Sequence, residues 1–157
     1  MEHARETTLT VNGTRITRRI EARMHLVDFL REELGLTGSH VGCEHGVCGA
    51  CTVRVNGAIV RGCLMLAVQA DGCTVDTVEG LSDSHELAPL QQAFHRRNAL
   101  QCGFCTPGML LAAQDLMRSG RKASREEIRA HISGNYCRCT GYQAIVDAIE
   151  DVINGQG

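Results

Sequence analysis

Polar and apolar residues alternate along Thr8-Leu9-Thr10-Val11, the period of a half-buried strand, and Asn12-Gly13 is the dipeptide of a two-residue hairpin turn. Residues 14–20 supply the return strand. Leu26, Val27, Phe29, Leu30 and Leu34 then recur at helical spacing, and Gly35 stops that helix. After a glycine-rich loop at 42–51 come Thr52-Val53-Arg54-Val55, a second Asn-Gly turn at Asn56-Gly57, and residues 58–60, which together predict another hairpin. Residues 73–78 read as one more short strand. Strands wrapped around one helix predict an α+β domain over residues 1–78.

Residues 79–85, opening Glu79-Gly80-Leu81-Ser82-Asp83-Ser84, are polar and turn-rich and read as a linker. From there to the end (86–157) the period is helical. Leu87, Leu90, Ala93, Phe94 and His95 mark one helix. Thr106 as N-cap and Pro107 at the first helical position open a second, carrying Met109, Leu110, Ala113, Leu116 and Met117 to a stop at Gly120. Ser124-Arg125-Glu126-Glu127 is a capping box for a third, and Thr140-Gly141-Tyr142-Gln143 is another for a fourth, which buries Ile145, Ile149, Val152 and Ile153. The second domain is therefore expected to be all-α, with four helices.

Large side chains are scarce for two cores: three Phe, two Tyr and no Trp in 157 residues. Bound metal would supply the missing cross-links, because metal-binding free energy is also folding free energy. The apo-protein is therefore expected to fold poorly. A net charge of -2 and a pI near 6.4 give no reason to expect nucleic acid or a membrane surface as partner. His95, Arg96 and Arg97, and later Arg118, Arg121 and Lys122, read as solvated helix faces. The charged start is followed by no apolar stretch, Arg18-Arg19 precedes Ile20-Glu21-Ala22-Arg23, and no run approaches membrane-spanning length. A reducing cytoplasm is the expected setting, with no membrane insertion; clustered cysteines there mean metal or redox chemistry.

Eight of the nine cysteines fall into two sets of four. Cys43, Cys48, Cys51 and Cys63 read C-x4-C-x2-C with a fourth cysteine downstream, the opening spacing of plant-type [2Fe–2S] ferredoxins. Gly42, Gly46 and Gly49 are interleaved with them, as suits a loop that must bring backbone N–H groups close to sulfur. Cys102 and Cys105 (C-x2-C) pair with Cys137 and Cys139 (C-x-C), and Cys105 and Cys139 each directly precede a predicted helix cap. Two helix N-termini would offset the negative charge of a four-thiolate cluster. Structural zinc is the competing occupant of the second set, although zinc sites usually combine two C-x2-C pairs.

Two such sites in one short chain predict a relay of single electrons. Thioredoxin-type dithiols at Cys48/Cys51 and Cys102/Cys105 would need a βαβ pattern that is absent, and Cys43-Glu44-His45 lacks the second half of a Rieske ligand set. His45 is expected beside the site or in solvent, and Cys73, the ninth cysteine, in the core. A lone ferredoxin-like carrier and a zinc-scaffolded interaction module are the rival readings.

Three segments carry a family resemblance: Gly42-Cys43-Glu44-His45-Gly46-Val47-Cys48-Gly49-Ala50-Cys51, Gln101-Cys102-Gly103-Phe104-Cys105-Thr106-Pro107-Gly108-Met109 and Asn135-Tyr136-Cys137-Arg138-Cys139-Thr140-Gly141-Tyr142. Over about residues 7–153 the chain resembles the iron–sulfur small subunit of the molybdenum hydroxylases related to xanthine dehydrogenase and carbon monoxide dehydrogenase. The resemblance implies a β-grasp, ferredoxin-like domain followed by a four-helix domain, with two [2Fe–2S] clusters. It implies a large partner subunit holding a molybdenum–pterin dinucleotide and a medium one holding FAD, assembled as a dimer of heterotrimers. Electrons would run from molybdenum through the helical-domain cluster, then the ferredoxin-like cluster, to flavin, so that this chain has no substrate site. Gln101 and Cys139 would face the pterin. His45 stands where many relatives carry another residue, and the first six residues lie outside the match.

Overall fold

The computed structural model describes residues 3–155. Two antiparallel hairpins and a fifth strand build one mixed sheet: β1 (Ala4–Val11), β2 (Thr14–Glu21), β3 (Thr52–Val55), β4 (Ala58–Arg61) and β5 (Thr74–Asp76), in the order β2-β1-β5-β3-β4. Both predicted Asn-Gly turns are present. Asn12 and Gly13 have φ of 48° and 80°, and Asn56 and Gly57 have 48° and 85°, the left-handed pair that matches the twist of a tight hairpin. β5 closes the sheet, parallel to β1 and antiparallel to β3.

Helix α1 (Leu26–Asp28) runs on into a wider turn at Phe29–Glu33, where the Leu34 N–H donates to the Phe29 carbonyl at 3.3 Å. It lays Leu26, Phe29 and Leu30 on Leu9, Val11, Val53, Val55 and Val75, and none of these is more than 7% exposed. A helix gripped by a mixed sheet in this way is the β-grasp arrangement. β1 is longer than the sequence pattern predicts, because Ala4 to Glu6 pair with Glu21 to Arg19 although their side chains give no alternation.

The second half contains α2 (Val78–Asp83), α3 (Ala88–Arg96), α4 (Thr106–Met117), α5 (Arg125–Ile132) and α6 (Gln143–Ile153). The segment read as a linker is thus largely helical: α2 buries Leu81 against the helical core despite its polar composition. The expected strand at 73–78 correspondingly shortens, and Val78 opens the helix. The Ser124 capping box forms as predicted, with Ser124 Oγ accepting the Glu127 N–H and Glu127 Oε2 accepting the Ser124 N–H. The predicted box at Thr140 does not form. α6 begins at Gln143 behind Tyr142, whose φ is 70°. α4 also starts one residue early, with Cys105 at its N-cap and Pro107 at its second position.

α4 is buried around most of its circumference, including Met109, Leu111, Ala112, Ala113 and Gln114. Such a helix must be covered on more than one side. One side meets the other helices through Leu90, Phe94, Ile128, Ile145 and Ile149, and the other lies on β3, which is why all four β3 residues are buried rather than alternate ones. Arg54 is buried in that seam. It donates to Gln114 and to Glu86 Oε1 (3.1 Å) and lies 3.7 Å from Asp76, so its charge is matched from both halves.

The halves also meet backbone on backbone. A methyl group added at Gly108 would overlap the Gly49 carbonyl oxygen, and buried Asn135 donates from Nδ2 to that same oxygen at 3.1 Å. Gly108→Ala should therefore separate α4 from the cysteine loop. The expected loss is at least the ~1–3 kcal/mol typical of overpacking, seen as a lower urea midpoint for the metal-loaded protein. An unchanged midpoint would show that the seam is loose.

Candidate metal centres

The loop from Gly42 to Cys51 has the backbone needed to surround a cluster, with Glu44, Gly46 and Gly49 at φ of 58°, 84° and 77°. It turns N–H groups inward: the Cys48 N–H donates to Cys43 Sγ at 3.4 Å, and the Cys63 N–H donates to Cys51 Sγ at 3.5 Å. Cys63 reaches the site from the residues just after β4, where buried Cys51 and Cys63 pack with Val27. Burial opposes ionisation of Cys43, but N–H groups of Cys48, His45 and Val47 and the Cys48 thiol outweigh it and bring the thiol down to about 6. Burial, reinforced by the neighbouring Cys51 sulfur and by the charge on Cys43, pushes Cys63 up to about 11. The four predicted ligands of this set are therefore within reach of one another.

At the second site Cys105 caps α4 and meets the Cys137 thiol. Burial, then Cys137 and the charge of Cys102, push Cys105 up to about 12. Cys137 is half-buried, which opposes its ionisation, yet it is held below the ordinary thiol range by the side chain and N–H of Thr140 and the N–H of Cys139. Thr140 Oγ1 lies 3.1 Å and Thr140 N 3.4 Å from Cys137 Sγ. Cys102 accepts the Phe104 N–H at 3.5 Å. Gln101 Nε2 donates to the Cys139 carbonyl at 3.1 Å, so the two residues expected to face a pterin are joined to each other.

Among the described residues no three His, Cys, Asp or Glu side chains converge on a single ion position. Six of the eight sulfurs meet in pairs, Cys43 with Cys48, Cys51 with Cys63 and Cys105 with Cys137, while Cys102 and Cys139 flank the last pair without joining a partner sulfur. A two-iron cluster uses thiolates in this way, two on each iron, and the inward N–H groups suit its sulfur. Thr106, next to Cys105, also has a buried hydroxyl without a protein partner. The donor set therefore fits a [2Fe–2S] group at each site.

The two sites are stitched together. The Tyr136 N–H donates to the Cys48 carbonyl at 2.8 Å, and Arg61 donates to the Gly134 carbonyl at 2.7 Å. His40 stacks on Phe104, with ring centroids 4.5 Å apart, and its Nδ1–H donates to the Phe104 carbonyl at 2.8 Å. A methyl group at Gly42 would stand 3.1 Å from the Cys48 sulfur and 3.6 Å from the Phe104 ring. Sequence reasoning found neither this contact nor the part played by Thr140; only the proximity of Thr140 to Cys139 could have hinted at the latter. His45 turns its Nδ1–H to the Cys43 carbonyl. Cys73 accepts a hydrogen bond from Asn56 Nδ2 at 3.3 Å and packs on the sheet core rather than joining either set.

Residues 9–74 match the family described as "2Fe-2S iron-sulfur cluster binding domain", and residues 77–150 match "[2Fe-2S] binding domain". The chain is 56% identical over 147 residues to caffeine dehydrogenase subunit gamma of Pseudomonas sp. (strain CBB1), covering 92% of this chain and 88% of that protein. It is 53% identical over 146 residues to the nicotine 6-hydroxylase small subunit of Paenarthrobacter nicotinovorans, covering 93% and 88%. The crystal structure of quinoline 2-oxidoreductase from Pseudomonas putida 86 superimposes with a TM-score of 0.92 at 51% identity, covering 98% of this chain and 95% of that one.

Each site contains one thiol, Cys63 or Cys105, that keeps its proton at neutral pH. A metal must displace that proton, so binding tightens as pH rises. For at least one displaced proton per site, the apparent affinity of the apo-protein for Co(II) should increase about tenfold or more per pH unit between roughly pH 6.5 and 8.5. An anaerobic titration followed by thiolate-to-cobalt charge-transfer absorption would show this; a pH-independent affinity would contradict it.

Proposed function

The chain belongs to the iron–sulfur small subunits of the molybdenum hydroxylases, and from that membership we infer that Cys43, Cys48, Cys51 and Cys63 hold one [2Fe–2S] cluster while Cys102, Cys105, Cys137 and Cys139 hold the second. When bound, each cluster takes up and gives back one electron, which makes the chain the electron-transfer subunit between a molybdenum–pterin centre and FAD on partner subunits. The chain's own residues hold the sulfurs, exclude water and fix the distance between the sites. The observation that carries this reading is the pairing of sulfurs beneath inward-facing N–H groups at two sites joined through the Cys48 carbonyl and the Tyr136 N–H.

The surface supports the presence of partners. Among the described residues the exposed large hydrophobic side chains are Val47, Leu64, Leu100, Phe104, Tyr136 and Tyr142. Each lies within three residues of a ligand cysteine. Apolar surface gathered around two redox sites suits docking faces. Gln101 and Cys139, joined side chain to carbonyl, form the face turned to the pterin. A dimer of heterotrimers in the cytoplasm is the assembly we assign. Among the described residues no helix is long and apolar enough to cross a membrane. We divide the chain into a ferredoxin-like unit that ends with β5 and a helical unit that begins with α2 at Val78. Caffeine, nicotine and quinoline, named in the relatives above, share a nitrogen heterocycle, and that is the substrate class we put first for the large subunit.

Stepwise dithionite reduction followed by EPR should give two distinct S = 1/2 signals that together account for about four irons per chain. Molybdenum and flavin should co-purify on larger chains. Cys139→Ser should lose the helical-site signal and stop electron flow from substrate to the flavin-site acceptor, whereas Cys73→Ser should keep both signals. One signal with zinc in place of the second would leave a single-cluster carrier. Colourless protein with two zinc ions would leave a scaffold.

A further inference from the structure

Cys137 is held by a closed ring of hydrogen bonds that its counterparts in the ferredoxin-like site lack. Its N–H donates to the Tyr142 hydroxyl oxygen at 3.0 Å. The Tyr142 N–H donates to Thr140 Oγ1 at 3.1 Å. Thr140 Oγ1, with that lone pair occupied, turns its proton to Cys137 Sγ at 3.1 Å, and the Thr140 N–H reaches the same sulfur at 3.4 Å.

The backbone is distorted to close the ring. Gly141 and Tyr142 are both left-handed, with φ of 67° and 70°. Glycine adopts that conformation freely, but a bulky aromatic residue does so only where the surroundings over-determine it. The distortion sets Tyr142 at the head of α6 with its phenol folded back onto Cys137, and it moves the helix start to Gln143. A capping box at Thr140 would have made the threonine hydroxyl oxygen the acceptor of the Gln143 N–H. Here that oxygen accepts the Tyr142 N–H instead, and its proton is directed at the Cys137 sulfur.

We propose that Thr140, oriented by Tyr142, is a positioning residue that sets the reduction potential of the helical-site cluster. Reduction adds one electron and breaks no bond, so the cluster and its thiolates become more negative. A hydroxyl that donates to a ligand sulfur stabilises that added charge and raises the potential. In the ferredoxin-like site the hydrogen bonds to Cys43 and Cys51 sulfur come from backbone N–H groups of Cys48 and Cys63. Only the helical site has a side-chain hydroxyl on a ligand, so the potentials of the two sites can be set separately. This inference rests on the assignment of Cys137 as a cluster ligand.

The test is a potentiometric EPR titration of the assembled complex carrying Thr140→Val, Thr140→Ser or Tyr142→Phe, with the helical-site signal identified as the one that Cys137→Ser alters. Valine keeps the branching and removes the proton donor. The expected result for Thr140→Val is a tenfold fall in the reduced-to-oxidised ratio of that cluster at fixed potential, about 59 mV for a one-electron couple, with the other signal unmoved. Thr140→Ser should restore the ratio, and Tyr142→Phe should shift the same signal by a smaller amount. Two signals in the unsubstituted complex that Thr140→Val leaves where they were would overturn the proposal while leaving the two-cluster reading intact. If Thr140→Val loses the helical cluster, Tyr142→Phe decides: a shift confined to that signal supports the ring, and no shift overturns it. Fewer than two signals in the unsubstituted complex would overturn the cluster assignment, and the proposal with it.

Discussion

The contact on which the rest depends is the backbone approach of Gly49 to Gly108. A carbonyl oxygen from the cysteine loop sits against the first turn of α4, and there is no room for a side chain at Gly108. Because α4 begins at Cys105 and the loop contains Cys48 and Cys51, the spacing of these two backbones is also the spacing of the two metal sites. Asn135 fastens the same oxygen from a third direction, and the next residue, Tyr136, binds the Cys48 carbonyl and leads directly into Cys137. Electron transfer weakens steeply with distance, so a relay requires its centres to be held at a fixed short separation. Here the requirement is met by main chain, which cannot change rotamer.

This arrangement makes the metal sites part of the core rather than attachments to it. With few aromatic residues available, the first half buries the Cys51 and Cys63 thiols and the second packs half-buried Cys105 and Cys137 against its core. Thiols buried beside other sulfurs cannot all ionise without a cation, which is why Cys63 and Cys105 are driven up while Cys43 and Cys137 are drawn down by their donors. A metal removes that repulsion and cross-links segments far apart in sequence, so its binding energy is folding energy. Arg54 acts in the same seam with opposite charge, matched by Glu86 and Gln114 from the helical side and Asp76 from its own sheet.

Short-range devices were legible in the sequence. Both Asn-Gly hairpins and the Ser124 capping box were read from residues within a few positions of one another, and the fold places them as expected. What escaped was decided at long range. Residues 79–84 look like a loop by composition, yet Leu81 finds a helical core to bury in and the segment coils. Ala4 to Glu6 give no alternation because pairing with β2, not burial, makes them a strand. The contact of Gly49 with Gly108 joins residues 59 positions apart, and no local pattern marks it.

The misread capping box at Thr140 shows why local signals fail at functional sites. Serine or threonine ahead of a helix ordinarily serves the backbone, and Ser124 does so here. Thr140 has the same sequence context but sits one residue from a ligand cysteine, and while its oxygen accepts the Tyr142 N–H its proton goes to the Cys137 sulfur, an acceptor that Ser124 does not have. The helix begins two residues later than that box predicts, behind a left-handed tyrosine. Local propensity and site chemistry disagree at this position, and the site prevails; such disagreements are where sequence rules point to function when they break.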